Sequence, residues 1–599
     1  MQNYHKYGNR PFILFLVTLI CLVLPACNTV AGILTEKLNA ELKKRIELEM
    51  FRQGLVCQGE LICGTSLIPD YYIHREYKPV WVNDTGLSAD AAMLVTSLES
   101  STDDGLRAED YHLTRIEQLI NELRQIHDQG EIDTAEAVSM WIDLEVLFTD
   151  ALLLYGSHLL GGRVNPETLH PDWILAGDSI DLMNILRTVV LSGPSITIFD
   201  RVRPPHGGYT GLTALLSEYH RIAVDGGWPV VAMGPSLRKD EQDPRISQLR
   251  RRLTISGDLM NSGESLQPDV FDETLESAVI RFQGRHGLNA DGIAGEKTLS
   301  ALNLSVEDRI RQIELNLERW RWLPHDLGER YILVNTADFR LKVVENNHTT
   351  LDMRVVVGKP ARQTPVFSSR LSYMVVNPYW TVPTTIAVND ILPKIKKDPE
   401  YLTKNRFRVF DGWQQDAQEL TPELVDWTTL GKRYFPLRFR QDPGAMNALG
   451  RIKFMFPNKF AVYLHDTPHR TLFNETIRGF SSGCIRTEKP LDLAAYLMSG
   501  NAGWTREKLA EAIEKGSQRN IHLPAPILIH LLYMTAWIAE DGIPQFRDDI
   551  YGRDRLLEKA LRQRVTRSPF SPRSNPDDPS FELQGVFPQR QKVGGAAVE

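Results

Sequence analysis

The sequence lacks several features that would point to common classes of protein. Its net charge is −8 over 599 residues, so it has no excess of basic residues for binding nucleic acid. The apolar run at residues 12–24 has 13 residues, fewer than the roughly 20 of an ordinary membrane-spanning helix. His286 has no second ligand at the spacing of a zinc site. Neither a metal nor a cofactor is therefore expected.

The N-terminus has the pattern of a secretory signal. Lys6 and Arg10 precede the apolar run, and Pro25-Ala26-Cys27 follows it with a small residue at the exit. Leu24-Pro25-Ala26-Cys27 also resembles a bacterial lipobox, which would make Cys27 a lipidated residue tethered to a membrane. Lipidation, plain cleavage and a retained anchor remain open, and each predicts a periplasmic protein.

Cysteine is scarce, with five in the chain, and two of them belong to the signal region. Cys57 and Cys63 are separated by five residues, which allows a disulfide in an oxidising compartment, with two free thiols as the alternative. Pairing would leave Cys484 as the single free thiol, as expected of a catalytic cysteine.

His465 and Cys484 stand nineteen positions apart in a stretch suited to nucleophilic catalysis. Residues 459–464 predict a strand, which would place His465 at a strand end. A cysteine reacts as its thiolate, whose formation needs a nearby imidazolium or backbone N–H groups. Gly483 would let the chain bend so that the N–H groups of Gly483 and Cys484 form an oxyanion hole. A buried cysteine beside an unrelated histidine is the alternative.

The same residues resemble a known signature. They read His-x15-Ser-x-Gly-Cys-Ile-Arg, and this pattern resembles the catalytic motif of the L,D-transpeptidases, which cross-link peptidoglycan. The resemblance implies that His465 is the general base and Cys484 the acylated nucleophile. It implies that Arg486 shapes the site, either by orienting a carboxylate or by supporting the loop. Most members have histidine where this chain has Ser482.

Four further side chains are expected to contact the substrate. They are Ser481, Ser482, Tyr463 and Trp380. Core packing is the alternative for the two aromatic residues.

The sequence predicts a multidomain α+β protein with three recognisable parts. Residues 70–235 have mostly helical periodicity and resemble the scaffold domain of large L,D-transpeptidases. Residues 236–304 predict three helices and resemble a peptidoglycan-binding domain, with a helical spacer as the alternative. Residues 331–500 contain short β runs, as in a sandwich, and resemble the L,D-transpeptidase catalytic domain. Its capping insertion, at about 395–446, is either a mobile lid or a fixed subdomain.

The remaining segments connect or follow these parts. They are a signal or lipobox segment at 1–27, a linker helix at 28–69, a connecting helix at 305–330, a C-terminal helix and strand at 501–558, and a disordered tail at 559–599.

The resemblance implies formation of 3→3 cross-links between peptidoglycan stem peptides, through a cysteine acyl-enzyme and with release of D-alanine. The implied partners are stem peptides, glycan and peptidoglycan synthases. An L,D-carboxypeptidase using the same residues, or a wall-binding scaffold without activity, remains open.

Two hypotheses with a serine nucleophile are weaker than the cysteine hypothesis. Ser236-Leu237-Arg238-Lys239 fits the Ser-x-x-Lys motif of D,D-transpeptidases, but no Lys-Thr-Gly follows it. Residues 479–483 fit Gly-x-Ser-x-Gly, the nucleophile elbow of α/β-hydrolases, with His522 or His530 as the base. The polar residues before that elbow make a poor buried strand.

Overall fold

The computed structural model describes residues 28–48, 55–131, 133–174, 197–260 and 267–563. The predicted signal segment with Cys27, and the tail beyond residue 563, lie outside these described residues. Within the described ranges, no helix combines the length and apolarity needed to span a bilayer.

A 27-residue helix, Ala135–Gly161, is the centre of the N-terminal region. Its residues 142–160 are all buried, as expected of a helix that is apolar on most sides. The predicted linker helix, Asn28–Leu48, packs Leu38 and Leu42 into the same core and therefore belongs to this region. The other helices here are Ile68–His74, Ala89–Glu99, Leu113–Asp128, Pro166–Leu169, Thr197–Val202 and Gly207–Val224. Short hairpins are formed by Val56–Cys57 with Glu60–Leu61 and by Val82–Asn83 with Gly86–Leu87.

The predicted disulfide between Cys57 and Cys63 is wrong, because both residues are buried free thiols. Cys57 Sγ lies 3.5 Å from Asp143 Oδ1, whereas the Cys63 N–H donates to Asp150 at 3.1 Å. These carboxylates are about two turns, or roughly 10 Å, apart along one helix. The short sequence separation did not reveal that the two cysteines contact different turns.

Three helices form the small domain that follows, Arg245–Ile255, Glu273–Arg285 and Glu296–Leu302. Gln283 holds its elbow together: its amide donates to Asp291 at 2.9 Å and accepts from the Gly292 N–H at 2.9 Å. His286 stacks on Phe282 with ring centroids 3.8 Å apart, and its Nδ1 bonds to the Phe282 carbonyl. It is therefore a packing residue. The connecting helix, Val306–Arg321, begins with a capping box of Ser305 and Asp308.

The C-terminal half contains a nine-stranded mixed sheet. Its strands are β1 (Arg330–Asn335), β2 (Arg340–Glu345), β3 (His348–Gly358), β4 (Phe367–Val376), β5 (Ile452–Met455), β6 (Leu464–His465), β7 (Gly479–Ser481), β8 (Ile485–Thr487) and β9 (Arg519–Leu532). Their order is β7-β3-β8-β6-β5-β4-β9-β1-β2, and β2 also pairs with β3. The sheet therefore closes around an apolar core that includes Ile332, Val355 and Phe454, and the predicted fold class is confirmed.

Strand β9 lies between β4 and β1, antiparallel to the first and parallel to the second. The sequence analysis placed the end of the catalytic domain at residue 500 and a separate helix and strand after it. The boundary is wrong for the sheet, because a central strand follows it.

The predicted strand at residues 459–464 is largely wrong, because β6 begins at Leu464. The preceding residues form a loop closed by Asn458, whose side-chain oxygen accepts from the N–H groups of Phe460 and Val462 at 3.1 and 3.0 Å. Ala461 in this loop has a φ of +52°. Its apolar residues pack without entering a ladder.

The insertion is a folded subdomain, hereafter the cap, with its own apolar core around Val409 and Phe439. Its four-stranded sheet contains Trp380–Thr381, Phe407–Phe410, Glu419–Leu420 and Arg438–Gln441. Its helices are Thr384–Ile386, the π-helical turn Ala387–Ile391, Leu392–Lys397 and Tyr401–Lys404, and a 3₁₀ turn spans Pro422–Leu424. The cap begins at Trp380, earlier than the predicted residue 395.

The chain after the nucleophile stretch packs on the other regions. Its elements include helices Pro490–Leu497, Arg506–Glu514 and Arg553–Leu561 and the hairpin Ala536–Ile538 with Pro544–Phe546. Arg547 donates to Asp338 in the turn between β1 and β2 at 2.8 Å and to the carbonyl of Arg285 in the small domain at 3.0 Å. The predicted disordered tail begins too early, because the last helix continues to Leu561.

Candidate active site

Strands β5, β6 and β8 bring the functional side chains onto one face. Lys453 of β5 is opposite His465 of β6, and His465 is level with Arg486 of β8. The Ile485 N–H donates to the Tyr463 carbonyl at 3.1 Å. This bond continues the β6–β8 register, so Cys484 is level with Tyr463. Alternate residues of a strand point to the same face. The five side chains therefore line one surface beside the cap.

The Cys484 thiol is half-buried, and Tyr463 and the Ala461 carbonyl are its hydrogen-bonding neighbours. Burial raises the pKa of the thiol, while hydrogen bonds from the Tyr463 backbone and hydroxyl and the positive charges of Lys453 and Arg486 oppose that rise. The site therefore contains several groups that favour a thiolate.

His465 is buried, and its Nδ1 bonds to the Asp466 carbonyl at 2.5 Å. A carbonyl only accepts, so Nδ1 carries the proton in this contact. Burial, and next the charge of Arg486, lower the pKa of the imidazole to about 3, while the carbonyls of Asp466 and Leu449 partly oppose this. The imidazole is thus neutral near pH 7. In the described part of the chain its ring N–H bonds to the Asp466 carbonyl, not to the thiol of Cys484, which lies two residues before Arg486 on the neighbouring strand.

The loop that presents Cys484 is fixed by Ser481 and Thr364. The Ser481 hydroxyl donates to the Cys484 carbonyl and accepts from the Gly483 N–H at 3.1 Å. Thr364 Oγ1 donates to the Gly483 carbonyl at 2.9 Å. Gly483 has a φ of +115°, which favours glycine.

These contacts correct two predictions. The Gly483 N–H does not face outward as an oxyanion donor, because Ser481 already accepts it. Ser481 is buried and supports the loop, so a substrate contact by its side chain is wrong. The Cys484 N–H has no acceptor within the described ranges, and it remains the N–H that can bind an oxyanion.

Ser482 lies on the exposed rim and accepts from Arg362 Nη1 at 2.8 Å. Arg362 also pairs with Asp390 in the π-helical turn of the cap. Sequence reasoning missed Arg362, although it stands in the turn between Pro360 and Pro365, where a rigid backbone can aim a side chain.

Tyr463 and Trp380 lie together beside the thiol. The Trp380 indole hydrogen-bonds to the Tyr463 hydroxyl, which also contacts Cys484. Trp380 packs on Phe407 of the cap with ring centroids 6.0 Å apart. The cap therefore contacts Cys484 through this pair. Both residues are half-buried, and their contact with substrate stays a prediction.

Two cations flank the thiol. Arg486 has a buried Nε without a hydrogen-bond partner in the described chain, and burial lowers its pKa. Lys453 Nζ lies 3.9 Å from the centroid of the Tyr463 ring. Sequence reasoning missed Lys453. A lysine between buried Ile452 and Phe454 was the available signal, because it must point to the opposite face of the strand.

The serine elbow is not assembled. The Ser481 hydroxyl is used within its own loop. His530 Nδ1 bonds to Ser368 Oγ at 2.6 Å, and exposed His522 packs against Tyr373 with ring centroids 5.5 Å apart. Neither histidine is positioned as a base for Ser481. No group of three or more side chains able to hold a metal ion occurs among the residues that the structure describes.

Three family descriptions match separate parts of the chain. Residues 66–216 match "Scaffold domain", residues 242–302 match "Putative peptidoglycan binding domain", and residues 329–506 match "L,D-transpeptidase catalytic domain".

Two curated proteins share parts of the sequence. A "Putative L,D-transpeptidase" from Haemophilus influenzae is 38% identical over 259 residues, which are 43% of this chain and 51% of that protein. The chain thus spans about half the length of this relative. The N-acetylmuramoyl-L-alanine amidase CwlM from Mycobacterium tuberculosis is 35% identical over 75 residues, 12% of this chain and 18% of that protein.

Solved structures of L,D-transpeptidases show low overall similarity. The protein from Xylanimonas cellulosilytica is 14% identical, with 50% of this chain and 98% of that chain covered and a TM-score of 0.16. The protein from Stackebrandtia nassauensis is 12% identical, with 49% and 97% covered and a TM-score of 0.19.

Proposed function

We propose that the protein forms 3→3 cross-links in peptidoglycan, because residues 329–506 match the description "L,D-transpeptidase catalytic domain". The observation that carries this proposal is a half-buried free cysteine, Cys484, on the same sheet face as a neutral imidazole, His465.

The first step is acylation of Cys484. The thiolate attacks the carbonyl of the third stem residue, a diamino acid, in a tetrapeptide donor, and a C–S bond forms. The C–N bond to the terminal D-alanine breaks, and its amine leaves with a proton. The thioester then passes to the side-chain amine of a second stem, which restores the thiol.

His465 moves the proton in this scheme. A neutral imidazole can accept the thiol proton and return it to the leaving amine. The bond from Nδ1 to Asp466 leaves Nε2 as the basic nitrogen.

The tetrahedral oxyanion has a donor in the Cys484 N–H. Loss of one such donor typically costs about 3 kcal/mol of transition-state stabilisation. Tyr463 and Trp380 line the cleft, Ser482 stands at its rim, and Arg486 orients a carboxylate of the stem peptide.

The remaining parts localise the reaction. Residues 242–302 bind peptidoglycan, supported by the match of that segment. We place the protein in the periplasm, exported by its N-terminal segment and tethered by lipid on Cys27 or by a retained anchor where that segment is not simply cleaved. Peptidoglycan synthases are its proposed partners.

The test is incubation of the purified protein with disaccharide tetrapeptide, followed by mass spectrometry. Dimer together with free D-alanine is the expected product, and Cys484→Ala should abolish it without changing the melting temperature by more than a few degrees. Tripeptide monomer alone would mean that water is the acceptor, as in an L,D-carboxypeptidase. Binding to sacculi without any product would leave only a wall-binding scaffold.

A further inference from the structure

We propose that Lys453 supplies positive charge that stabilises the thiolate formed on Cys484, so that it is a positioning residue for the nucleophile. This inference rests on the proposed function only in taking Cys484 as the nucleophile. It separates two tasks within the site: Lys453 stabilises the charge on sulfur, and His465 carries the proton.

The Lys453 ammonium lies over the aromatic ring that contacts the Cys484 thiol. Lys453 is opposite His465, and its Nζ lies 3.9 Å from the centroid of the Tyr463 ring. Tyr463 is level with Cys484 on the next strand and hydrogen-bonds to its thiol. By this register Lys453 is level with His465 and Arg486, two residues along the strands from the level of Tyr463 and Cys484. Its side chain reaches diagonally to the Tyr463 ring, and the face of the aromatic ring fixes the position of the ammonium.

Lys453 has no other anion to neutralise it. Among the described residues it forms no ion pair, and its partner on β4 is apolar Val375. The nearest acid on β6, Asp466, is occupied by Arg470 at 3.1 Å and by the Arg451 N–H at 2.8 Å.

Neither the next acid on this face nor the cap offers Lys453 a negative charge. Glu488, beyond Arg486, pairs with Arg354. The cap contributes the uncharged indole of Trp380. A half-buried ammonium without a counterion is unfavourable. The Cys484 sulfur can provide that charge: burial raises the pKa of the thiol and lowers the pKa of Lys453, and the attraction between the two charged groups opposes both shifts.

His465 and Arg486 are less suited than Lys453 to stabilise a negative charge on the sulfur. His465 is buried and neutral, so it cannot act as the imidazolium of a thiolate–imidazolium pair in the resting site. Arg486 is the second cation, but its charge is spread over a planar guanidinium, whereas the lysine ammonium is a compact point charge. When the thiolate forms, the S–H bond breaks, the proton goes to the neutral imidazole of His465, and the ammonium keeps its three protons.

The experiment measures the pKa of the Cys484 thiol directly, without peptidoglycan. The full chain is treated with iodoacetamide between pH 5 and 10, and alkylation of the Cys484 peptide is quantified by mass spectrometry, which separates it from Cys57 and Cys63. Lys453→Met is compared with Lys453→Arg and with wild type. Lys459→Met is the matched control, because that exposed lysine lies 5.4 Å from the Phe460 ring on the adjoining loop.

Loss of the charge should raise the thiol pKa by about one unit or more in Lys453→Met. Alkylation at pH 7 should then be about tenfold slower. Lys453→Arg should recover most of this loss, Lys459→Met should match wild type, and His465→Asn should shift the pKa less than Lys453→Met.

Lys453→Gln decides the question if the methionine variant does not fold, as judged by circular dichroism. A wild-type pH profile in the folded variant overturns the inference, and so does a larger shift in His465→Asn. A shifted profile in a protein that makes no cross-link leaves this inference standing and refutes the proposed function. Cross-linking by a variant with an unshifted thiol refutes the inference alone.

Discussion

At the scale of single residues, Ser481 holds the loop of Cys484 in place and has no proposed part in the reaction itself. Its hydroxyl joins the Gly483 N–H to the Cys484 carbonyl inside a buried turn. Ser481→Ala leaves both groups unsatisfied, at a cost of about 1–3 kcal/mol each. We therefore expect a lower melting temperature and a kcat reduced at least about tenfold, because the nucleophile is misplaced.

The control for stability is Ser482→Ala, since that side chain is exposed on the rim. Equal melting temperatures for the two variants, measured by calorimetry, would show that the turn does not depend on the Ser481 hydroxyl.

His465 predicts a pH dependence of stability. Its pKa is about 3 in the folded protein and about 6.5 in an unfolded chain. Between these values the unfolded state binds a proton that the folded state does not, so stability is lost as pH falls from 6.5 towards 3. The loss is roughly 1.4 kcal/mol per pH unit.

His465→Asn should remove this contribution. Melting temperatures of wild type and variant are compared from pH 7 to pH 4, so that the other titrating groups cancel. Parallel curves would contradict the lowered pKa.

At this scale the sequence pointed to Cys484 and His465 as candidate catalytic residues but not to their contacts. His465 and Cys484 follow from their residue types and the motif. The bond from the Gly483 N–H to Ser481, and the position of Lys453 over Tyr463, depend on strand register, which one sequence does not specify when the strand is two residues long.

At the scale of elements, two contacts attach the cap to the cysteine loop. One is the Arg362–Asp390 ion pair, which also involves Ser482, and the other is Trp380 on Tyr463. Asp390→Ala removes the first contact. We expect the cap to open more often, which should increase hydrogen exchange of residues 384–441 severalfold.

Asp398→Ala is the matched change, because Asp398 forms an exposed pair with Lys404 at 3.1 Å inside the cap. Such surface pairs contribute little. Equal exchange in the two variants would mean that the Arg362–Asp390 pair does not restrain the cap.

Long periodic helices were predictable, and short irregular strands were not. The helix Ala135–Gly161 lies in the stretch whose periodicity predicted helices, because its apolar residues recur over seven turns. Residues 459–463 had strand composition but form the Asn458-closed loop, because side-chain hydrogen bonds and packing outweighed β propensity.

At the scale of the whole molecule, Arg547 joins the small three-helix domain to the closed sheet. Its guanidinium contacts Asp338 and the Arg285 carbonyl. Asp338 is buried, and burial raises its pKa despite the arginine. Arg547→Ala would leave this carboxyl unpaired, at a cost of about 3 kcal/mol.

We expect the Arg547→Ala variant to melt at a lower temperature and to release residues 242–302 sooner in limited proteolysis. Arg555→Ala, an exposed position on the helix Arg553–Leu561, serves as the comparison. Identical cleavage patterns would show that Arg547 does not couple the two parts. Sequence reasoning found neither this contact nor the place of β9, because both join residues far apart in the chain.

The position of β9 has a consequence for the newly made polypeptide. A chain still attached to the ribosome at residue 500 already contains Cys484 and His465, but it lacks the strand that separates β4 from β1. The sheet cannot close until residue 532, the end of β9, has emerged from the ribosome. Cys484, the proposed nucleophile, is thus synthesised before the sheet that positions it is complete, and a nascent or prematurely ended chain would carry its thiol without that sheet.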